Sequence, residues 1–160
     1  MRATFEHIEQ LARALYGLPC CRRRVGSPRR GISIGFGEQR FHGNPTLKDD
    51  FYGEWEIGTY YGGWRIVSGG VVACGSDDVV DSIDELNERV ARVELGRPVS
   101  IRMLSELDVR LALDNGSHVD FLGSSGEDEH VIHIFGPDDL YIDYTSGKGW
   151  EVGSSIEPEG

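Results

Sequence analysis

The chain is 160 residues long, with 27 acidic and 16 basic residues, a formal charge of −11 and 22 glycines. Its length predicts one domain over residues 1–160, and the absence of any run of about 18 apolar residues excludes a membrane-spanning helix. Three cysteines, two of them adjacent, do not fit a disulfide framework, so reduced thiols and a cytoplasmic location are expected.

The charge is distributed unevenly along the chain. Residues 1–40 hold eight arginines and three glutamates, a net of +5, whereas residues 41–160 hold 8 basic and 24 acidic residues, a net of −16. A strongly acidic body repels nucleic acids and membrane surfaces and attracts basic partners. The composition therefore weighs against a nucleic-acid or membrane partner and favours a basic protein partner.

The first predicted element is a helix over residues 5–16. Thr4 is a suitable N-cap, and apolar residues recur at the spacing of one helical face until Gly17. An arginine-rich segment follows at residues 20–30, where Gly26 and Pro28 interrupt the sequence. We expect this segment to be a loop.

Short β-branched and aromatic runs separated by glycines predict strands in the next part of the chain. One strand is expected at residues 31–37, a long connection at residues 39–52, and three strands between residues 54 and 75. Ser82 and Glu85 have the spacing of a capping box, which predicts a second helix over residues 83–95.

The part after this helix is predicted to contain strands alone. Asn115-Gly116 predicts a hairpin with a type I′ turn, because this dipeptide accepts positive φ angles. Turns at SSGED and GPDD separate the later strands, and residues 154–160 are expected to form a flexible tail. The whole pattern predicts an α+β fold, with two main helices and a mostly antiparallel meander sheet in a single domain.

The stretch EHVIHIF raises the question of metal binding, because it places His130 and His133 beside acidic residues. Its β-branched residues predict a strand, in which successive side chains point to opposite faces. On that geometry the two imidazoles cannot chelate one metal, and no CxxC, HxxxH or HExxH pattern is present. We therefore expect neither a metal nor a cofactor.

Other chemical signals are weak. From the glycine pattern we expect no GxSxG nucleophile, no Walker A loop and no dinucleotide fingerprint. The arginines of residues 22–30 could contact phosphates, but they lack interleaved aromatic residues, and the alternative is a loop that folds back on the acidic body. Cys74 ends an apolar run and is expected to be a buried thiol.

Six aromatic residues fall within fourteen positions, from Phe51 to Trp64. Alternating strands cannot direct all of them to one core, so some of Tyr52, Tyr60 and Tyr61 are expected at the surface near acidic residues. Tyrosine beside carboxylates suits contact with a basic protein. A purely structural cluster remains the alternative.

The stretch LDVRLALDNGSHVDFLGSSGEDEHVIHIFGPDDLYIDY, residues 107–144, resembles a pattern found in small acidic bacterial proteins. In that pattern a strand with an Asn-Gly or Asp-Gly turn leads to a second strand, an acidic serine-rich turn, and a strand with a final hairpin. Some proteins of this kind accompany polymorphic toxins as immunity proteins. The resemblance implies a toxin-binding function and supplies no catalytic motif.

We therefore expect a non-enzymatic binding protein, of the immunity type, that neutralises a basic toxin or nuclease through an acidic surface with aromatic anchors. The residues expected to contact the partner are Asp49, Asp50, Tyr60, Tyr61, Glu127, Asp128, Glu129, Asp138 and Asp139. Two alternatives stay open. One is a small enzyme that uses carboxylates of Glu127, Asp128, Asp138 or Asp139, and the other is a regulatory module whose arginine-rich loop contacts RNA.

Overall fold

The computed structural model describes residues 1–154. Its helices are α1 (Phe5–Ala12) and α2 (Ile83–Arg92). Its strands are β1 (Arg2–Ala3), β2 (Cys20–Val25), β3 (Ile32–Phe41), β4 (Phe51–Gly58), β5 (Gly63–Ser68), β6 (Val71–Gly75), β7 (Pro98–Met103), β8 (Asp108–Leu113), β9 (His118–Leu122), β10 (His130–Gly136), β11 (Leu140–Thr145) and β12 (Gly149–Ser154). Of the expected tail, Ser154 ends β12 and residues 155–160 lie outside the described residues.

The strands form two sheets. The larger has seven strands in the order β1-β12-β11-β10-β4-β3-β2, and the smaller has five in the order β6-β5-β9-β8-β7. All their pairings are antiparallel, which confirms the expected α+β class with a mostly antiparallel sheet arrangement. Simple meanders account for β7-β8-β9 and β10-β11-β12, whereas β4 and β5 pair with strands distant in sequence. The single domain remains a prediction.

The core lies between the inner faces of the two sheets. Alternation along the strands sends Ile34 and Ile57 of the larger sheet and Ile66 and Val119 of the smaller sheet into one buried cluster. Each large aliphatic side chain buried in this way contributes roughly 1.5–3 kcal/mol. The opposite face of each sheet is therefore left for polar residues and possible contacts.

Both helices begin where the sequence predicts and end earlier. The Thr4 side chain accepts a hydrogen bond from His7 N (3.2 Å), and the Ser82 side chain accepts one from Glu85 N (3.2 Å). α1 ends at Ala12 and continues as turns that still bury Leu15, while α2 ends at Arg92. Within residues 1–154, neither helix is long and apolar enough to cross a bilayer.

The arginine-rich segment is not a loop over its whole length, and this prediction is wrong for residues 20–25. β2 pairs along β3, and the Asn87 side chain of α2 accepts from Val25 N (2.9 Å) and donates to Val25 O (3.0 Å). Asn87 thus takes the place of a neighbouring strand and satisfies the backbone of a buried edge. Only the part around Ser27-Pro28 forms the expected turn.

Two hairpin turns have backbone conformations that the sequence pattern does not predict. At Asn115-Gly116 the hairpin forms, but among the described residues only Gly116 of this pair has positive φ (+83°), so the type I′ prediction is wrong. The Asn115 side chain instead bonds Ser117 N (3.1 Å) and Glu94 O (2.9 Å), which holds its backbone in place. The GPDD turn has both Asp138 and Asp139 left-handed, at φ 60° and 57°.

Candidate functional site

The outer face of the seven-stranded sheet carries a cavity of about 580 Å³. It forms because the inner positions of β3, β4 and β10 are apolar and buried, so that their intervening residues point away from the core. The turn at residues 26–31 rises over one side of it. Its wall includes Ser33, Tyr52, Glu56, Tyr60, His133 and Phe135.

Glu56 supplies the polar floor of this cavity. The residue is only 6% exposed, and its carboxylate accepts hydrogen bonds from Gly53 N (2.8 Å), Ser33 Oγ (2.9 Å) and Arg22 Nη1 (3.1 Å). A Cβ at Gly35 would lie 2.8 Å from Glu56 Oε1, so glycine is required there for the carboxylate to fit. Burial raises the pKa of Glu56, and these hydrogen bonds offset part of that effect.

Asp49, expected to contact a partner, pairs with two arginines of β2. Its carboxylate accepts from Arg24 Nη2 (2.9 Å) and Arg22 Nε (3.1 Å), and its side chain is 21% exposed. The hydrogen bond from Arg24 lowers the pKa of Asp49. Its charge is therefore neutralised within the chain, whereas the neighbouring Asp50 is exposed.

His130 and His133 lie on the same face, which contradicts the geometry predicted for them. A β-bulge between His130 and Ile132 shifts the register, and His130 Nε2 lies 3.2 Å from His133 Nδ1. Burial, followed by the nearby His130, lowers the pKa of His133 to about 3, and burial lowers the pKa of His130. Both rings are therefore neutral at pH 7, and one donates to the other.

Because the two imidazoles lie on one face and close together, strand alternation no longer excludes a metal bound by both. Two ligands alone do not make a structural site, which needs about four. Within residues 1–154, no group of three or more His, Cys, Asp or Glu side chains is arranged to hold a metal ion.

Tyr60 and Tyr61 lie in the link that carries the chain from one sheet to the other. Their exposed fractions are 57% and 52%. The Tyr60 ring centroid is 4.3 Å from that of His133, and Tyr61 packs near His130 (6.2 Å) with Arg29 over its ring (5.5 Å). The prediction of surface tyrosines holds for both, and Tyr60 also lines the cavity.

The two acidic turns lie at opposite ends of β10, as the sequence indicates. Glu127 and Asp128 are exposed in the loop that leads into His130, whose ring centroid lies 6.2 Å from that of Tyr61. Glu129 is committed to that loop, because its carboxylate accepts from Ser124 N (2.8 Å) and Ser125 N (2.6 Å). The exposed turn of residues 138–139 follows the other end of the strand.

The expected contact residues therefore separate into three groups. Tyr60 and Tyr61 share one end of the sheet with residues 127–129. Residues 138–139 and Asp50 lie apart from that end, and Asp49 is enclosed by arginines. None of the four carboxylates of the enzyme alternative lines the cavity.

Four arginines of the RNA alternative have internal partners. Arg22 and Arg24 bind carboxylates, Arg23 Nη1 donates to Val90 O (2.9 Å), and Arg30 Nη1 donates to Asp78 O (2.8 Å). This arrangement matches the alternative in which the segment folds back on the acidic body.

The expectation that the chain has no GxSxG pattern is wrong, and sequence reasoning therefore missed a serine in this site. Residues 31–35 read GISIG, a GxSxG pattern. Gly58 of β4 pairs with Ser33 on one side and with His133 on the other, and His133 pairs with Asp143. Ser33, His133 and Asp143 therefore lie in one row across the sheet. In a nucleophile elbow the serine occupies a turn from a strand to a helix. Here Ser33 lies inside β3 and donates to Glu56, while His133 Nδ1 is paired with His130. The row lacks the Ser–His hydrogen bond of a catalytic triad.

The burial of Glu56 was also missed. Its segment, EWEIG, shows only the alternation of a half-exposed strand. Gly35, which leaves space for the carboxylate and is paired with Glu56, is the signal that pairing of β3 with β4 would have given. Comparison of the chain with protein-family models, curated proteins and solved structures gave no match.

Proposed function

We propose that the chain is a non-enzymatic binding protein of the immunity type, which captures a basic protein partner, such as a toxin or nuclease, in the cytoplasm. The observation that carries the proposal is the pair Tyr60 and Tyr61, more than half exposed beside a cavity and next to an acidic loop. Exposed tyrosines are frequent anchors at protein interfaces, because they bury a large apolar area at low entropic cost.

Charge supports a basic partner. Residues 41–160 carry a net charge of −16, and Glu127 and Asp128 are exposed at the same end of the sheet as the two tyrosines. Such a field accelerates the approach of a cationic surface and sets its orientation. The free thiols of Cys20, Cys21 and Cys74 are consistent with a reducing compartment.

The cavity supports an anchoring role for Tyr60. Its wall combines the aromatic rings of Tyr60, His133 and Phe135 with the hydrogen-bonded carboxylate of Glu56. The Tyr60 ring is tilted against His133 (centroids 4.3 Å apart), and the His133 ring is stacked on Phe135 (4.7 Å). A partner that covers Tyr60 also covers the mouth of this cavity and can place a side chain in it. Interface hot spots usually pair with such pockets.

The proposal is tested by co-expressing the chain with a basic toxin domain encoded beside its gene. We expect host growth to be restored and a stable complex to elute in size-exclusion chromatography. Replacing both Tyr60 and Tyr61 by alanine is expected to weaken the complex about thirtyfold or more, the size of a hot-spot effect.

Phe41→Ala is the matched control, because Phe41 is 70% exposed and lies at the far end of β3. It is expected to leave binding unchanged. Full protection by the double tyrosine variant would contradict the proposed surface.

A further inference from the structure

The outer face of the five-stranded sheet carries a row of charged residues that the proposed function does not use. Arg65 of β5 pairs with Asp120 of β9, Asp120 pairs with Arg110 of β8, and Arg110 pairs with Arg102 of β7. Paired residues of neighbouring strands point to the same face, so the four side chains cross the sheet in one line. We call them the arginine row.

Asp120 fixes the orientation of two of these arginines. It is fully buried, and it accepts from Arg110 Nε (2.7 Å), Arg110 Nη2 (3.2 Å) and Arg65 Nε (3.1 Å). The bidentate contact holds the Arg110 guanidinium in a defined plane, and a single hydrogen bond holds Arg65. The side chains of Arg65 and Arg110 nevertheless remain 44% and 27% exposed, so their other N–H groups stay accessible to a ligand.

Positive charge is in excess along the row. Three guanidinium groups face one buried carboxylate, a surplus of two charges on a chain whose total is −11. His118 Nε2 lies 3.6 Å from Asp120 Oδ2 and adds a further polar group. Asp108, two residues before Arg110, reduces the surplus by one, and its carboxylate accepts from Ser105 Oγ (3.3 Å).

Arg102 and Arg110 are directly opposite each other in the β7–β8 ladder. Like charges at such positions destabilise a sheet, because their side chains lie close together. Arg102 is exposed, and within residues 1–154 it makes no ion pair with a carboxylate. Arg110 is paired with Asp120, whereas Arg102 has no such partner among residues 1–154, and a local conflict of this kind is typical of a functional position.

Small side chains flank this pair on one side. The next residues on the same two strands, Ser100 and Ala112, are paired with each other and have small side chains. An oxyanion placed between the two guanidinium groups would accept hydrogen bonds from both and remove their repulsion.

We propose that the arginine row binds a compact phosphate-class oxyanion between Arg102 and Arg110. A long polyanion such as nucleic acid fits less well, because the rest of the chain is strongly acidic. The site lies on the other sheet from the tyrosines and the cavity, so it does not depend on the proposed function.

The test is titration of the protein with inorganic phosphate while the arginine Nε–H signals are followed by NMR. We expect the Nε–H chemical shifts of Arg102, Arg110 and Arg65 to change with phosphate concentration until they saturate. Sodium chloride at equal ionic strength should produce no saturable change. Arg102→Gln is expected to weaken phosphate binding about fivefold, the upper range for an exposed charge contact.

Arg13→Gln serves as the control, since Arg13 is 68% exposed and lies just after α1. It should bind phosphate as the unmodified protein does. A parallel titration with O-phosphoserine identifies the source of the anion: tighter binding than that of inorganic phosphate assigns the site to a phosphorylated side chain, and equal or weaker binding assigns it to a free anion. The proposal is overturned if phosphate shifts are not saturable, if chloride reproduces them, or if Arg102→Gln leaves them unchanged.

Discussion

The carboxylate of Glu56 is the polar centre of the cavity floor. It is the common acceptor for Gly53 N, Ser33 Oγ and Arg22 Nη1, and it is almost fully buried. Removing it would leave two donors and a largely buried guanidinium without this acceptor.

We expect Glu56→Ala to lower the free energy of unfolding by about 3 kcal/mol, because buried donors at Gly53 and Ser33 lose their acceptor and Arg22 loses one of its two carboxylate partners. Urea denaturation monitored by tryptophan fluorescence measures the change. Glu54→Ala is the control on the same strand, where the side chain is partly exposed, and it should cost less than about 0.5 kcal/mol. Similar losses in the two variants would show that the floor network does not stabilise the fold.

His133 makes the stability depend on pH. Its pKa in the folded protein is about 3, below its usual value, because burial disfavours the charged ring. The unfolded chain therefore binds a proton that the folded chain does not, and this contribution to stability is lost as pH falls from about 6.5 towards 3.

Replacing His133 by asparagine is expected to reduce the slope of unfolding free energy against pH, between pH 6 and 4, by about 1.4 kcal/mol per pH unit. Urea titrations across that range test the difference, and His7→Gln, at an exposed position, should leave the slope as it is. An unchanged slope in the His133 variant would mean that this ring is not excluded from water.

At the scale of elements, the turn between β10 and β11 is under local strain. Asp138 and Asp139 both have left-handed backbones, which glycine adopts freely and other residues adopt at a cost. We expect Asp139→Gly to raise the free energy of unfolding by about 0.5–1 kcal/mol and Asp139→Ala to lower it by about 1 kcal/mol.

Both substitutions remove the same charge, so their difference isolates the backbone effect. Thermal unfolding of the two variants at one pH supplies the comparison. If both shift the melting temperature in the same direction, the charge of Asp139 matters more than its conformation.

The elements themselves were largely predictable, because caps, glycines and alternation act locally. The caps at Thr4 and Ser82 and the hairpin at Asn115-Gly116 follow from such signals. The strand β2 was not predictable, since its three consecutive arginines are held by Asp49, Glu56 and α2, which are distant in sequence. Tertiary contacts override local composition in this segment.

The same reason explains what was missed in the candidate site. The β-bulge between His130 and Ile132 brings His130 to the same face as His133. The alternation of apolar and polar residues in the sequence does not reveal where such a bulge occurs. The exposed tyrosines and acidic turns were predictable, because they lie in turns whose chemistry is local. The cavity between them depends on how β3, β4 and β10 pair.

At the scale of the whole molecule, the two outer faces differ in charge pattern. One presents tyrosines, a cavity and exposed carboxylates, and the other presents the arginine row. The proposed partner surface belongs to the first face, where electrostatic attraction would govern the approach and aromatic burial the lifetime of a complex.

This division predicts different kinetic effects for different substitutions. Neutralising Asp138 and Asp139 with asparagine, which also tolerates left-handed φ, should slow association more than it speeds dissociation. Neutralising Glu127 and Asp128 should slow it further, since they lie nearer the tyrosines. Tyr60→Ala or Tyr61→Ala should mainly speed dissociation.

The association rate with the basic toxin domain, measured by stopped flow at two salt concentrations, tests the central claim most directly. The acidic surface predicts a rate that is roughly ten- to a thousand-fold higher at low ionic strength than at high ionic strength. An association rate that does not change with salt would contradict the claim and leave the negative charge as a feature of solubility.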